Sequence, residues 1–425
     1  MLIEISVGNY KSFKDIVTFS MVAANIKSKD KDLDKNNIFP YNKSINLIKT
    51  AAIYGANASG KSNFIKAAVF MRDFVINSSK DTQATEEINI DNFRLSTVTE
   101  TQPSFFEIIF VIDSIRYRYG FEVDSNKIHR EWLYHAKSRE TNLFIRSKEG
   151  FSLAGPFREG RKLEDKTRPN ALFLSVCAQW NGLISTVILK WFKEFGIISG
   201  LNDFGYRPYT EKKLEDTETK NQILNFIRKF DFAISDLHIQ KTSVTKTSVP
   251  KALPEPIAKI RLGGDKTTVF TSHKKFDENS KYIGDETFDL DRNESDGTQK
   301  AFSFSGPLLD VLSNGKILIV DELDARFHPI ITQAIVQMFH DRSMNRKNAQ
   351  LIFATHDTNL LDHNFFRRDQ VWFMEKDQYG STDLYSLVDF KVRNDASFEK
   401  DYIAGRYGGI PFIGGIIRLG EQGDA

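Results

Sequence analysis

Eight consecutive residues constrain this chain more than any others: Gly55-Ala56-Asn57-Ala58-Ser59-Gly60-Lys61-Ser62. An apolar run, Lys49 to Tyr54, precedes them. Phe64, Ala67, Ala68, Met71, Phe74 and Val75 follow at helical spacing. The pattern G-x-x-x-x-G-K-[ST], set between a strand and a helix, is a loop that holds phosphate. Its glycines let the backbone amides turn inward where a side chain would clash. The helix N-terminus adds partial positive charge. Lys61 supplies a full charge to the phosphates, and the Ser62 hydroxyl suits Mg²⁺. A glycine turn that merely precedes a lysine would lack the flanking strand and helix.

A partner for this loop lies far along the chain. Lys316-Ile317-Leu318-Ile319-Val320 runs into Asp321 and Glu322. A buried parallel strand ending in two acids delivers both carboxylates to the sheet edge where nucleotides bind. Asp321 is expected to hold Mg²⁺ through water, and Glu322 to polarise the attacking water. Pro329 suits the first turn of the next helix. One βα unit later, Gln350 to Thr355 forms a second buried strand that ends at His356. A neutral imidazole there can hydrogen-bond a γ-phosphate; a strand-end histidine is otherwise a structural residue.

The rest of the chain surrounds these two halves. At 425 residues, 40% hydrophobic and 27% charged, it is globular and too long for one core, so two or three lobes are expected. Residues 2–7 and 16–22 read as an edge hairpin around Asn9-Tyr10-Lys11-Ser12-Phe13. Residues 25–46, rich in Lys, Asp and Asn, read as a mobile solvated loop. Residues 104–124 read as a hairpin that 128–135 and 142–146 extend. Residues 171–176 read as another buried strand, 183–235 as helical, and 237–290 as β-segments with a turn at Gly263-Gly264. From 297 onward helices and strands alternate as parallel βα units. The predicted divisions are an N-terminal ATPase lobe (1–180), a helical insert (181–236) and a C-terminal ATPase lobe (237–425).

Charge and cysteine content narrow the classes. Lys plus Arg is 58 against 56 Asp plus Glu, a net charge of +2, so nucleic acid would need a local patch. Residues 241–275 offer one, with Lys241, Lys246, Lys251, Lys259, Arg261, Lys266, Lys274 and Lys275 against Glu255 and Asp265; a solvated β-ribbon is the alternative. The one cysteine, Cys177, excludes an internal disulfide framework and a cysteine zinc site. Neither a signal peptide nor a long apolar span is evident, so no membrane association and a cytoplasmic location are expected. Asp377, Asp383 and Asp389 would be the acids of a nuclease centre, but their surroundings read as ordinary strand and turn.

Together these motifs resemble the ABC-type ATPases of the SMC and RecF kind. Asn57 and Ser59 match the G-x-N-x-S-G-K-S form of their phosphate loop, and Ile5 through Phe13 is similar to their opening strand. The chain resembles more closely the bacterial stand-alone ATPases of the abortive-infection type, RloA-like or AbiLi-like. Asn170 to Ser175 with Gln179, Arg368 to Phe373, Ala396 to Tyr402 and Gly405 to Gly408 carry that likeness.

The resemblance implies an α/β P-loop NTPase of ABC-ATPase type, with a β-rich N-terminal lobe and a short helical insert where relatives carry a coiled coil. It implies ATP and Mg²⁺, with Lys61 and Ser62 as the phosphate-loop pair, Asp321 and Glu322 as the acidic pair, and His356 as the switch histidine. Leu323-Asp324 is similar to the family's D-loop. Ser295, Gly297 and Thr298 look like the signature that meets the γ-phosphate bound by a second subunit, with Glu294, Asp296 and Thr298 departing from L-S-G-G-Q. Read from its own residues, Ser295 caps a helix and need do nothing more. Gln179 looks like the family's Mg²⁺- and water-sensing glutamine; a polar surface residue at a helix start is the alternative.

The resemblance further implies a homodimer, or a higher even-numbered oligomer, with ATP at the interface. It also implies a separate effector protein, in some relatives one with a TOPRIM-like nuclease fold. An ATP-hydrolysing switch in phage defence is the leading expectation. A RecF-like repair ATPase that binds DNA directly, and a scaffold that binds ATP with little turnover, are the alternatives.

Overall fold

The computed structural model describes residues 1–28, 30–80, 83, 85–229, 233–242, 266–393 and 396–411. Its contacts divide the chain into two compact units. The first comprises residues 1–197, 312–324 and 332–425, and the second 198–311 and 325–331.

Two sheets build the first unit. One is antiparallel, in the spatial order Gly150–Leu153, Glu140–Ser147, Ile128–Ala136, Ile115–Val123, Ser104–Ile112, Leu2–Gly8, Val17–Ser20. The hairpin expected at the N-terminus is therefore its edge. The other runs in the order Phe195–Ser199, Ile317–Asp321, Gln350–Ala354, Thr50–Tyr54, Val371–Lys376, Thr382–Ser386. Its middle four strands are parallel, and the last pairs antiparallel. All five residues of Thr50–Tyr54 are buried, as are those of Gln350–Ala354. That is why both read as unbroken apolar runs rather than alternating ones. Helix Lys61–Asn77 turns Phe64, Ala67, Ala68, Met71 and Val75 into one core with Ile53, Ile319 and Ile352 of this sheet and Phe106 and Phe121 of the other.

The predicted strand over 171–176 is a helix, Phe173–Gln179. Glu131 decides this. Its fully buried carboxylate accepts the amides of Phe173 (2.6 Å) and Leu174 (3.0 Å) and the Tyr119 hydroxyl (2.9 Å), with Arg146 at 3.8 Å. A remote acid satisfies the first free amides of the helix, and no local pattern announces it. Residues 25–46 also differ from expectation. They hold a helix, Lys31–Asn37, capped by Asp30, and a hairpin, Ile38–Pro40 with Asn46–Ile48. Arg367, buried, pairs with Asp34 and with Asp369 (2.8 Å) and ties this segment to the sheet.

The predicted insert is likewise redrawn. Helix Leu183–Lys193 buries Ile188, Leu189 and Phe192 in the core of the first unit. The second unit instead gathers helices Arg207–Lys213 and Thr217–Arg228 with an antiparallel sheet, Ile234–Thr242, Lys266–Phe276, Tyr282–Asp289. It also holds most of helix Asp296–Asn314. Among the described residues, the strands of 237–290 thus pair with one another. Of the basic residues in 241–275, Lys246, Lys251, Lys259 and Arg261 lie outside the described residues, as does the Gly263-Gly264 turn. Lys241 and Lys275 pair with Glu215 (2.5 Å) and Glu286 (2.6 Å).

A buried polar chain underlies the parallel sheet. Asn37 donates to Gln370 (2.8 Å), Gln370 donates to the Thr50 hydroxyl (2.7 Å), and Thr50 meets His340 Nε2 (2.7 Å). Burial, with a smaller contribution from the Lys49 charge, pushes the His340 imidazole from 6.5 down to about 3. Between those values the unfolded chain binds a proton that the folded one refuses. The stability contributed by neutral His340 is therefore whole above about pH 6.5 and lost progressively below it, about 2 kcal/mol by pH 5. Denaturant titrations at pH 7 and pH 5 test this: His340→Gln should remove that part of the acid sensitivity, and an unchanged pH dependence would refute it.

Candidate nucleotide-binding site

The sheet order brings the two sequence halves together. Strand Gln350–Ala354 lies between Thr50–Tyr54 and Ile317–Asp321, with Phe353 level with both Ala52 and Val320. Three parallel strands therefore end at one edge, carrying the phosphate loop, His356 and the acids Asp321 and Glu322. This is where open parallel sheets place their ligands.

Residues Gly55 to Ser62 form the expected strand–loop–helix, with the helix starting at Lys61. A Cβ on Gly60, whose φ is +115°, would lie 2.4 Å from Thr382 Oγ1. One on Gly55 would lie 2.4 Å from the Met374 carbonyl oxygen. Glycine is required at both positions by conformation or close approach. Thr382 also donates to the Ser59 carbonyl (2.9 Å), and its own amide donates to the Ser12 carbonyl (2.7 Å). Asn63 reaches the Ser12 hydroxyl (2.9 Å). The Asn9–Phe13 turn thus braces the phosphate loop, a role its sequence did not disclose. Ala58 has φ +63°; Asn57 and Ala58 are exposed at the loop's outer curve, and Ala56 and Ser62 are half-buried.

Lys61 is buried and donates to the carbonyls of Gly55 (2.7 Å) and Ala56 (3.1 Å). Burial lowers its ammonium to about 8, against the opposing pull of Asp321, Glu322 and Asp324. The same three acids raise the His356 imidazole, but burial and the Lys61 charge outweigh them and leave it below its ordinary value. His356 is therefore neutral at pH 7 and able to donate a hydrogen bond. Its backbone amide points at Asp324 Oδ2 (3.4 Å).

Glu322 sits at φ +55°, a left-handed conformation that costs a non-glycine residue about 1–3 kcal/mol. The next residue holds it there: Leu323 is fully buried and donates to the Ala354 carbonyl (3.1 Å). Such strain is a feature of functional positions.

The residues fit Mg²⁺ and a triphosphate. Asp321 Oδ1, Asp324 Oδ1 and Ser59 Oγ are buried and have no hydrogen-bond partner among the described residues. With the Ser62 hydroxyl they are hard oxygen donors of the kind that Mg²⁺ takes. No group of three or more His, Cys, Asp or Glu forms a metal cage among the described residues. Mg²⁺ needs none, since it takes one or two carboxylates together with phosphates and water.

Other predicted site residues lie elsewhere. Gln179 is exposed at the last position of its helix, whereas the sequence places it just after a strand. Ser295, Gly297 and Thr298 belong to the second unit. There Ser295 Oγ accepts the Thr298 amide (3.2 Å), so Ser295 caps its helix as expected. Lys300, a buried residue the motif reading passed over, donates to the Ala325 carbonyl and lies 4.2 Å over the Phe327 ring. It fastens the first turns of this helix to the segment that follows Asp324. Asp377 accepts amides within its own turn, and Asp389 accepts the Ser386 amide in a capping box. Among the described residues no helix is long and apolar enough to cross a membrane.

The fold resembles that of the SMC head domain from Thermotoga maritima (11% identity, 91% of this chain and 98% of that one, TM-score 0.39). It also resembles the Smc head domain with coiled coil and joint from Pyrococcus yayanosii (9%, 95% and 99%, 0.41) and the ATP complex of the recombination mediator RecF (14%, 90% and 97%, 0.31). No curated protein matches the chain. Residues 51–362 match the family described as "AAA domain, putative AbiEii toxin, Type IV TA system". That span runs from the phosphate-loop strand past the acidic pair and His356, and with this site inside it the chain belongs to that family of AAA P-loop ATPases.

Proposed function

We propose that this chain is an ATP-hydrolysing switch of the RloA-like or AbiLi-like abortive-infection kind, working as a dimer and controlling a separate effector. The observation that carries the reading is the charged cluster at one sheet edge: Lys61 in the phosphate loop, with Asp321, Glu322 and His356 at the ends of the neighbouring parallel strands. The family's own description, which names a toxin and a type IV system, supports the defence role.

In this reading the phosphate-loop amides and Lys61 bind the triphosphate of ATP. Mg²⁺, when bound, screens phosphate charge and orients the oxygens. Asp321 and Ser62 would hold it. Glu322 takes the proton of the attacking water, and its fixed left-handed backbone aims the carboxylate. His356 donates to the γ-phosphate. Ser295, Gly297 and Thr298 of a second copy complete the site, offering a hydroxyl and helix-terminal amides to the same phosphate.

Mixing two inactive variants tests the shared site. Lys61→Ala and Ser295→Arg should each hydrolyse ATP poorly. A mixed dimer contains one site with both defects and one with neither, so ATPase activity should reappear on mixing. Absence of recovery, with subunit exchange demonstrated, would place the complete site within one chain.

A further inference from the structure

The turn that carries Ser295 is anchored to the three-stranded sheet by one carboxylate. Glu294, immediately before Ser295, has a side chain only 12% exposed. Its Oε1 accepts the Thr271 hydroxyl (2.5 Å) and the His273 Nε2 hydrogen (2.7 Å). Thr271 and His273 are alternate residues of the central strand Lys266–Phe276, so both side chains leave the same face. The His273 ring packs edge-on against Phe288 of the neighbouring strand, centroids 5.0 Å apart, which fixes where its nitrogen points. On the other side, the Glu294 carbonyl accepts Gln299 Nε2 (3.0 Å) and Ser295 Oγ accepts the Thr298 amide (3.2 Å). Glu294 is therefore bonded to the sheet through its carboxylate and to the first turn of helix Asp296–Asn314 through its carbonyl.

A helix cap needs only Ser295. Burying a carboxylate beside it carries a desolvation cost that a solvated turn avoids, so the arrangement fixes where the turn lies rather than whether the helix forms. The position Glu294 occupies is also one of the departures from the family signature. We propose that Glu294 is a positioning residue for ATP hydrolysis: Thr271 and His273 hold it, and it holds Ser295 to Thr298 in the geometry the reaction uses. The three-stranded sheet thereby sets the rate of a site to which it contributes no catalytic group. The inference rests on the reading of Ser295 to Thr298 as the donors to ATP on a second copy.

The test compares full-length Glu294→Leu, His273→Phe, His273→Gln and Ser295→Arg. Steady-state phosphate release, equilibrium binding of a fluorescent ATP analogue and thermal melting are measured for each. Glu294→Leu removes the acceptor. His273→Phe keeps the ring packing and removes the donor, while His273→Gln keeps a donor near the Nε2 position. Glu294→Leu and His273→Phe should lower kcat about tenfold or more, the scale of a lost charge-assisted hydrogen bond, with analogue affinity and melting temperature unchanged. His273→Gln should recover most of the rate. The double variant Glu294→Leu/His273→Phe should be no slower than Glu294→Leu alone, because both break one link.

An unchanged kcat in Glu294→Leu, with Ser295→Arg inactive, would overturn the positioning role and leave the signature reading standing. A Ser295→Arg protein as active as the wild type would overturn both. A fall in kcat matched by lost affinity or lost folding would show a structural residue and also overturn the proposal.

Discussion

Glutamine in place of Glu322 is expected to slow ATP hydrolysis by about 10²–10⁴-fold, the range that a positioned general base supplies, while ATP remains bound. Three features of the site lead to this. Glu322 follows the last residue of a buried parallel strand, at the edge where the phosphate loop and His356 also end. Its backbone is held left-handed by the buried Leu323, which sets the direction in which its side chain leaves the chain. Asp321, which has a buried oxygen without a partner among the described residues, is the better candidate for the metal. Glutamine preserves shape and removes the base, so binding and catalysis should separate. Single-turnover phosphate release against equilibrium ATP binding is the measurement. A variant that hydrolyses at the wild-type rate would move the base to another residue.

Lys61→Ala should act on the other half of that separation. Lys61 is the buried cation at the start of the phosphate-loop helix, and its ammonium is already lowered to about 8 by desolvation. It donates to the carbonyls of Gly55 and Ala56. A triphosphate offers it stronger acceptors and a compensating charge. Removing it should weaken ATP binding by about a hundredfold or more, and biological activity should vanish with it. Isothermal titration with ATP and Mg²⁺ checks this, with a thermal melt to confirm that the alanine chain folds. An affinity equal to the wild type would contradict the site.

The residues that make up this site were readable in the sequence because each group is local. The phosphate loop, the Asp321-Glu322 pair and the strand ending at His356 are contiguous stretches whose spacing follows from the geometry of one strand end or one helix start. Sheet order then joined them; the alternation of strands and helices announced parallel strands but not their order.

What stayed hidden depends on partners far apart in the chain. Residues 171–176 are apolar enough for a strand or a helix, and the amide acceptor that decides the matter is Glu131, some forty residues earlier. Gln179 therefore closes a helix instead of following a strand. Asn37 and Arg367 turn an apparently solvated loop into an anchored one through Gln370 and Asp34. The unit boundary falls just after Asp324, inside the run that looked like one continuous motif. Lys300 with Ala325, and Glu294 with His273, are contacts across more than twenty residues that no spacing rule contains.

Multiple-turnover phosphate release by the purified wild-type chain, with ATP and Mg²⁺ and with Lys61→Ala run beside it, tests the account most directly. The account predicts sustained release from the wild type, falling to background in Lys61→Ala. Release that persists unchanged in Lys61→Ala, or ATP bound by the wild type without any turnover, would contradict it.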